Sequence, residues 1–224
     1  MENRRPNHPL GSQIHAIHDN GKCLVMRRNQ QNADCFSLNI KKYVYLCQMK
    51  KIILITGGQR SGKSVQAETM ALQMSNRPVY MATAHIWDDE FRQRVAKHQE
   101  RRGSQWTNIE EEKWLSKHDV RGRVVVIDCI TLWCTNFFFD RMANEWEQPS
   151  VEEALENLKN EFGKFTQQDA TFIFVTNEIG SGGVSENAIQ RKFTDLEGWM
   201  NQYVAQQADE VILMVSGIAV KIKG

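Results

Sequence analysis

The densest chemistry in this sequence lies in the octapeptide Gly57-Gly58-Gln59-Arg60-Ser61-Gly62-Lys63-Ser64. It fits the pattern G-x-x-x-x-G-K-[ST] at every fixed position. Glycines at such spacing let the backbone curl so that successive N–H groups point at phosphate oxygens. A helix starting directly after them adds partial positive charge. Lys63 is placed to reach the β- and γ-phosphates, and the Ser64 hydroxyl can ligate Mg²⁺. A second acid is expected at the end of a strand, and Val124-Val125-Val126-Ile127-Asp128 supplies one, with Asp128 as the candidate metal-binding carboxylate. Glu178, following Phe172-Ile173-Phe174-Val175-Thr176-Asn177, offers another carboxylate at the same edge, as a functional group or as a solvated loop acid.

The segment from Asp88 to Arg101 adds a different kind of chemistry. Phe91, Val95 and His98 are spaced i, i+4, i+7 and share one helix face, so His98 faces inward, toward the core or toward a cleft. An inward histidine is either a satisfied core residue or a nucleophile. Arg92, Arg94, Arg101 and Arg102 stand close enough to neutralise a phosphate brought to a neutral imidazole, or they form a solvated basic face. Asp195-Leu196-Glu197-Gly198 matches the D-x-x-G of small GTPases but falls inside a helical pattern (Phe193, Leu196, Met200, Val204), and Thr176-Asn177-Glu178-Ile179 does not fit N-K-x-D. A G-protein switch is therefore excluded.

These groups need elements to hold them. Lys51 to Thr56 reads as a buried parallel strand and Val65 to Met74 as a helix, which is the context the glycine loop requires. Further strands are expected at Pro78–Thr83, Arg123–Asp128 and Thr171–Thr176. Helices are expected at Val151–Thr166 and Glu186–Gln207, besides the one capped by Asp88-Asp89. Glu210–Val215 and Ala219–Lys223 flank Ser216-Gly217 as a terminal β-hairpin. The alternation predicts an α/β fold of the P-loop NTPase-like (RecA-like) type, a mostly parallel sheet flanked by helices, with ligands at the carboxyl ends of the strands.

Bulk properties narrow the function classes. A formal net charge of +1 over 224 residues argues against a large nucleic-acid surface. No run approaches the roughly 20 apolar residues of a membrane span. The start lacks the apolar core of a secretory signal, so a cytoplasmic location is expected. Cys23, Cys35, Cys47, Cys129 and Cys134 show no C-x-x-C spacing and read as reduced thiols, and His8, His15 and His18 with Cys23 make a poor zinc site. Composition changes near Met49: residues 1–48 hold seven Lys/Arg against three Asp/Glu, and residues 49–224 hold 21 against 24. Met49-Lys50-Lys51-Ile52 reads as a natural start. Residues 1–48 are expected to be a disordered extension or an upstream translated stretch, and residues 49–224 the P-loop domain.

From Met49 onward the sequence resembles the bifunctional adenosylcobinamide kinase/adenosylcobinamide-phosphate guanylyltransferase family. The resemblance is carried by Ile55 to Ser64, Tyr80-Met81-Ala82-Thr83, Asp88-Asp89-Glu90 and Arg94-Val95-Ala96-Lys97-His98-Gln99-Glu100-Arg101-Arg102. It continues through Cys129-Ile130-Thr131, Val175-Thr176-Asn177-Glu178-Ile179-Gly180 and the ending Val215-Ser216-Gly217-Ile218-Ala219-Val220-Lys221. It implies phosphorylation of the aminopropanol hydroxyl of adenosylcobinamide by ATP or GTP, then transfer of GMP from GTP to that phosphate through a guanylyl-histidine at His98. By the same match Lys63 is catalytic. GTP is expected at Gly57, Gly58, Gln59, Arg60, Ser61, Gly62, Lys63, Ser64, Ala82, Thr83, Ala84, Gln99, Glu100, Arg101, Arg102, Glu110 and Asp128, with Mg²⁺ at Ser64 and Asp128. Members of the family often carry Glu where Asp128 stands. The partners implied are adenosylcobinamide and nucleoside triphosphates, and the assembly implied is a homotrimer. Two readings from the residues alone stay beside it: a P-loop kinase of another small metabolite, and a non-catalytic nucleotide-binding subunit.

Overall fold

The computed structural model describes residues 14–19, 22–27, 50–85, 102–139 and 150–224. The chain divides into two units, Met1–Cys47 and Gln48–Gly224. In the first, β1 (Ile14–Asp19) and β2 (Lys22–Arg27) pair antiparallel in the register Ile14↔Arg27 to Asp19↔Lys22. The sequence reading expected no element here. Asn20-Gly21, the dipeptide between the two strands in sequence, is a strong hairpin signal.

The second unit is built on a seven-stranded sheet. Its elements run β3 (Lys51–Gly57), α1 (Lys63–Met74), β4 (Val79–Ala82), β5 (Thr107–Glu110), β6 (Val124–Asp128), α2 (Ile130–Phe138) and α3 (Val151–Phe165). There follow β7 (Thr171–Val175), α4 (Ala188–Gln207), β8 (Glu210–Val215) and β9 (Ile218–Lys223). The spatial order is β5-β4-β6-β7-β3-β8-β9, parallel throughout except for the β8–β9 hairpin. The expected strands and helices of the described region are all present; β5 and α2 are additional. The expected helix from Asp88 to Arg101 lies outside the described residues.

Each central strand is a continuous apolar run because both of its faces are covered. Side chains alternate between two cores with period two. Ile52 and Leu54 join Val125, Ile127, Phe172 and Phe174 on one face, whereas Ile53 and Ile55 join Val124, Val126, Ile173 and Val175 on the other. α1 lays Ala67 and Ala71 on the second face. α2, α3 and α4 cover the first with large side chains, among them Trp133, Phe162 and Met200. Side chains cap two of these helices: Ser150 Oγ accepts the Glu153 amide at α3, and Asn187 Oδ1 accepts the amides of Ile189 and Gln190 at α4. No helix among the described residues is long and apolar enough to cross a membrane.

Register sets the working edge. Glu110 pairs with Ala82, Ala82 with Asp128, Asp128 with Val175, and Val175 with Ile55. One rung therefore crosses five strands at their carboxyl ends, and the glycine loop begins two residues beyond it.

Candidate active site

The loop from Gly57 to Ser64 takes the conformation its glycines permit. Gly57, Arg60 and Gly62 have φ of 145°, 59° and 97°. At Gly57 a side chain is excluded, since a Cβ there would lie 2.4 Å from the Met214 carbonyl oxygen of β8. The Lys63 ammonium is buried at the start of α1 and donates to the Gly58 carbonyl at 2.6 Å. Burial lowers its pKa, against the pull of Cys129, Asp128 and Glu197, so it is a cation held ready to exchange a neutral acceptor for an anionic one. The Ser61 hydroxyl is buried without a hydrogen-bond partner among the described residues.

Two distant segments brace this loop. The Gly217 amide, in the turn of the terminal hairpin, donates to the Ser61 carbonyl at 3.0 Å. The Glu178 amide donates to the Gly57 carbonyl at 3.2 Å, and its carboxylate accepts the Thr56 hydroxyl at 2.9 Å. The hairpin ending and the Thr176-Asn177-Glu178 turn thus act on the same eight residues. Their joint appearance in the sequence has a structural reason.

Asp128 ends β6, and β6 lies one strand beyond β7 rather than beside β3. The β6 backbone therefore lies about 10 Å across the sheet from the loop strand, two strand spacings away, while the Asp128 charge still acts on Lys63. Asp128 Oδ2 accepts the Tyr80 hydroxyl at 2.5 Å. Burial, then the Asp128 charge and this bond, hold the Tyr80 phenol far above its ordinary pKa, so it stays a donor. Over the same ring lies Arg102, its guanidinium carbon 3.4 Å from the centroid. Arg102 is 9 % exposed, and its Nε and Nη1 have no hydrogen-bond partner among the described residues. A buried guanidinium with two open donors calls for an anion.

The remaining expected residues fall as follows. Gly58, Gln59 and Arg60 are exposed at the loop's outer side, Gly62 and Ser64 are half-buried, Ala82 stands in the rung with Ala84 two residues beyond it, and Glu110 is exposed at the rung's far end. Thr83 is fully buried, and its hydroxyl donates to the Cys129 carbonyl at 2.8 Å and accepts the Cys129 amide at 2.9 Å. Its carbonyl accepts Asn136 Nδ2, so Thr83 braces its neighbours. His98, Gln99, Glu100 and Arg101 lie outside the described residues.

Sequence reasoning did not find Tyr80 as the partner of Asp128, nor the buried polar group behind the Asn177 turn. The Thr131 hydroxyl accepts the Asn177 amide at 3.0 Å and donates to Glu197 Oε1 at 3.1 Å. Glu197 is 1 % exposed, and burial above all pushes its pKa up to about 7.

The arrangement is a glycine loop with a buried lysine, a carboxylate farther along the sheet edge and a buried arginine stacked on Tyr80. Residues 53–222 match the family model described as cobinamide kinase / cobinamide phosphate guanyltransferase. The chain is 37 % identical over 181 residues to the bifunctional adenosylcobalamin biosynthesis protein CobU of Escherichia coli, covering 77 % of this chain and 99 % of that protein. It is 35 % identical to the Salmonella typhimurium protein of the same name over the same shares of each chain. It is 33 % identical to the bifunctional adenosylcobalamin biosynthesis protein CobP of Pseudomonas aeruginosa, covering 76 % of this chain and 96 % of that protein. The chain belongs to the cobinamide kinase / cobinamide phosphate guanyltransferase family.

Proposed function

We propose that this protein phosphorylates adenosylcobinamide with ATP or GTP and then transfers GMP from GTP to the new phosphate, giving adenosylcobinamide-GDP and pyrophosphate. The two-step activity is that of its family. The observation that carries it here is the shared edge. Ala82, Glu110 and Asp128 stand along one rung with Ile55, two residues before the glycine loop, so the loop and these residues share the carboxyl-end edge where ligands of such sheets bind.

In the kinase step the substrate hydroxyl oxygen bonds to the γ-phosphorus as the bond to the bridging oxygen breaks, and a nucleoside diphosphate leaves. Lys63 moves from the Gly58 carbonyl to the phosphates, and positioning with electrostatics supplies the acceleration. In the guanylyl step an imidazole nitrogen of His98 attacks the α-phosphorus and pyrophosphate leaves. A phosphate oxygen of the substrate then displaces the histidine. Arg102 offers its two open donors to the phosphate chain. Mg²⁺ would be held by the Ser64 hydroxyl and a carboxylate oxygen of Asp128. Hard oxygen donors of this kind suit it, few protein ligands suffice when phosphates complete the shell, and it would offset charge on the leaving pyrophosphate.

The reading also places the protein in the cytoplasm as a homo-oligomer. The edge strand β9 supports assembly, because Ile218, Val220 and Ile222 are exposed along one of its faces. The test is to incubate purified protein with adenosylcobinamide, GTP and Mg²⁺ and to resolve the products. The phosphate should appear first and the GDP derivative after it, with pyrophosphate. Phosphate alone, with no GDP product, would reduce the protein to a kinase.

A further inference from the structure

Behind the Asn177–Glu178 turn five side chains and one peptide meet, and their donors and acceptors can be assigned one by one. The Asn177 carbonyl can only accept, and Asn201 Nδ2 donates to it at 3.0 Å. This fixes the Asn201 amide, so its Oδ1 faces Thr176, whose hydroxyl donates to it at 2.7 Å. A hydroxyl has one proton. The contact between Thr176 Oγ1 and Glu197 Oε1, 3.3 Å, is then left without one from the threonine side. On the other flank Thr131 already accepts both the amide and the Nδ2 of Asn177, at 3.0 and 3.1 Å. Its own proton goes to Glu197 Oε1. The link from Glu197 to Thr176 therefore closes only if the carboxyl group carries the proton.

With that proton in place the bonds form a ring in one direction. It runs from the Asn177 amide through Thr131, Glu197, Thr176 and Asn201 back to the Asn177 carbonyl. The next residue along, Glu178, makes the two bonds to the glycine loop and to Thr56. We propose that Glu197 is a positioning residue for both transfer reactions: as a neutral acid it closes a hydrogen-bonded ring that clamps the Asn177 peptide and so sets Glu178 against the phosphate loop. Burial of Glu197 supports the neutral form, as does the charge of Glu178. The other ionisable groups acting on it are Lys63 from the loop and Cys134 from α2. The Asp-x-x-Gly match read as accidental in the sequence thus contains a working residue, though not a GTPase switch.

The assignment rests on the transfer reading of the site, but its first test does not. Infrared difference spectra of wild type against Glu197→Gln, recorded at about pH 6, should show one carboxylic-acid carbonyl band that vanishes as pH rises through about 7. Absence of that band overturns the neutral acid whatever the enzyme does. Kinetics tests the positioning. Both contacts fall on one oxygen, Oε1, where an amide places either an acceptor or a donor but not both, so Glu197→Gln should also break the ring and lower kcat of both half-reactions. Thr131→Val and Asn201→Asp, which each break the ring at Asn177, should lower kcat of both half-reactions about tenfold, the order of an unmet buried hydrogen bond. Native circular dichroism and unchanged cobinamide KM should accompany that loss. Unaltered kcat in these folded variants overturns the clamp.

Discussion

The Tyr80 hydroxyl donates to Asp128 at 2.5 Å from the neighbouring strand, two positions out of register, since Asp128 pairs with Ala82 and Tyr80 with Val126. Arg102 stacks on the face of the same phenol ring. One tyrosine orients both an acid and a base at the edge. Tyr80→Phe keeps the ring and the cation–π contact and removes only the donor. We expect kcat for both transfers to fall roughly tenfold, with GTP affinity changed less, because a bond to a charged acceptor is worth about 1.5–3 kcal/mol. Steady-state kinetics beside GTP titration calorimetry checks this; a parallel loss of affinity would place the effect on Arg102 instead.

Gly57 and Gly58 stand side by side in the loop and should respond in opposite ways. An alanine at 57 would have to fit its Cβ 2.4 Å from a β8 carbonyl at a φ of 145°, whereas nothing lies within 4 Å of a Cβ at 58. Gly57→Ala should cost about 2–4 kcal/mol of stability, from strain and from displacement of β8. Gly58→Ala should leave stability within about half a kcal/mol. Urea denaturation of the two variants decides the point, and equal midpoints would show that β8 yields freely.

The sequence announces what local pattern controls. Ile52-Ile53-Leu54-Ile55 before a glycine loop can only be a buried strand feeding a helix, and Val124 to Ile127 reads as another strand for the same reason. β5 escaped notice because Thr107-Asn108-Ile109-Glu110 sits at the sheet's edge, where half-exposed positions need no apolar run. α2 escaped because Ile130, Thr131, Trp133, Phe137 and Phe138 are poor helix formers that burial against α3 and α4 overrules. In the site, the octapeptide and the strand-end Asp128 were visible as motifs. Tyr80–Asp128 and Thr131–Glu197, separated by 48 and 66 residues, were not. No spacing rule joins residues brought together by sheet order and helix packing.

In the proposed mechanism Lys63 serves both half-reactions and His98 only the second, and labelling separates them. Lys63→Ala removes the one buried ammonium of the loop and should depress both activities by about 10²–10³-fold, because it acts on the shared phosphates. His98→Ala should bind GTP normally, form the cobinamide phosphate, and take up no acid-labile label from α-labelled GTP. Labelling of the His98 variant at the wild-type level would move the nucleophile elsewhere, and an intact kinase rate in the Lys63 variant would remove the loop from the chemistry.

Glu197 makes a thermodynamic prediction independent of turnover. Its folded-state pKa, about 7, lies above the ordinary 4.5, so the folded protein holds this proton after the unfolded chain has lost it. The stability it contributes is complete below about pH 4.5 and is lost as pH rises through about 7. Over that window wild type should lose up to roughly 3 kcal/mol relative to Glu197→Gln, whose amide does not titrate. Above about pH 7 the two curves should run parallel, because the carboxyl is then ionised in both states. Urea unfolding of both proteins across this range measures the difference directly. Curves that stay parallel from acid to neutral pH would mean that Glu197 is ionised in the native fold, and the ring at Asn177 would then lack the proton that closes it.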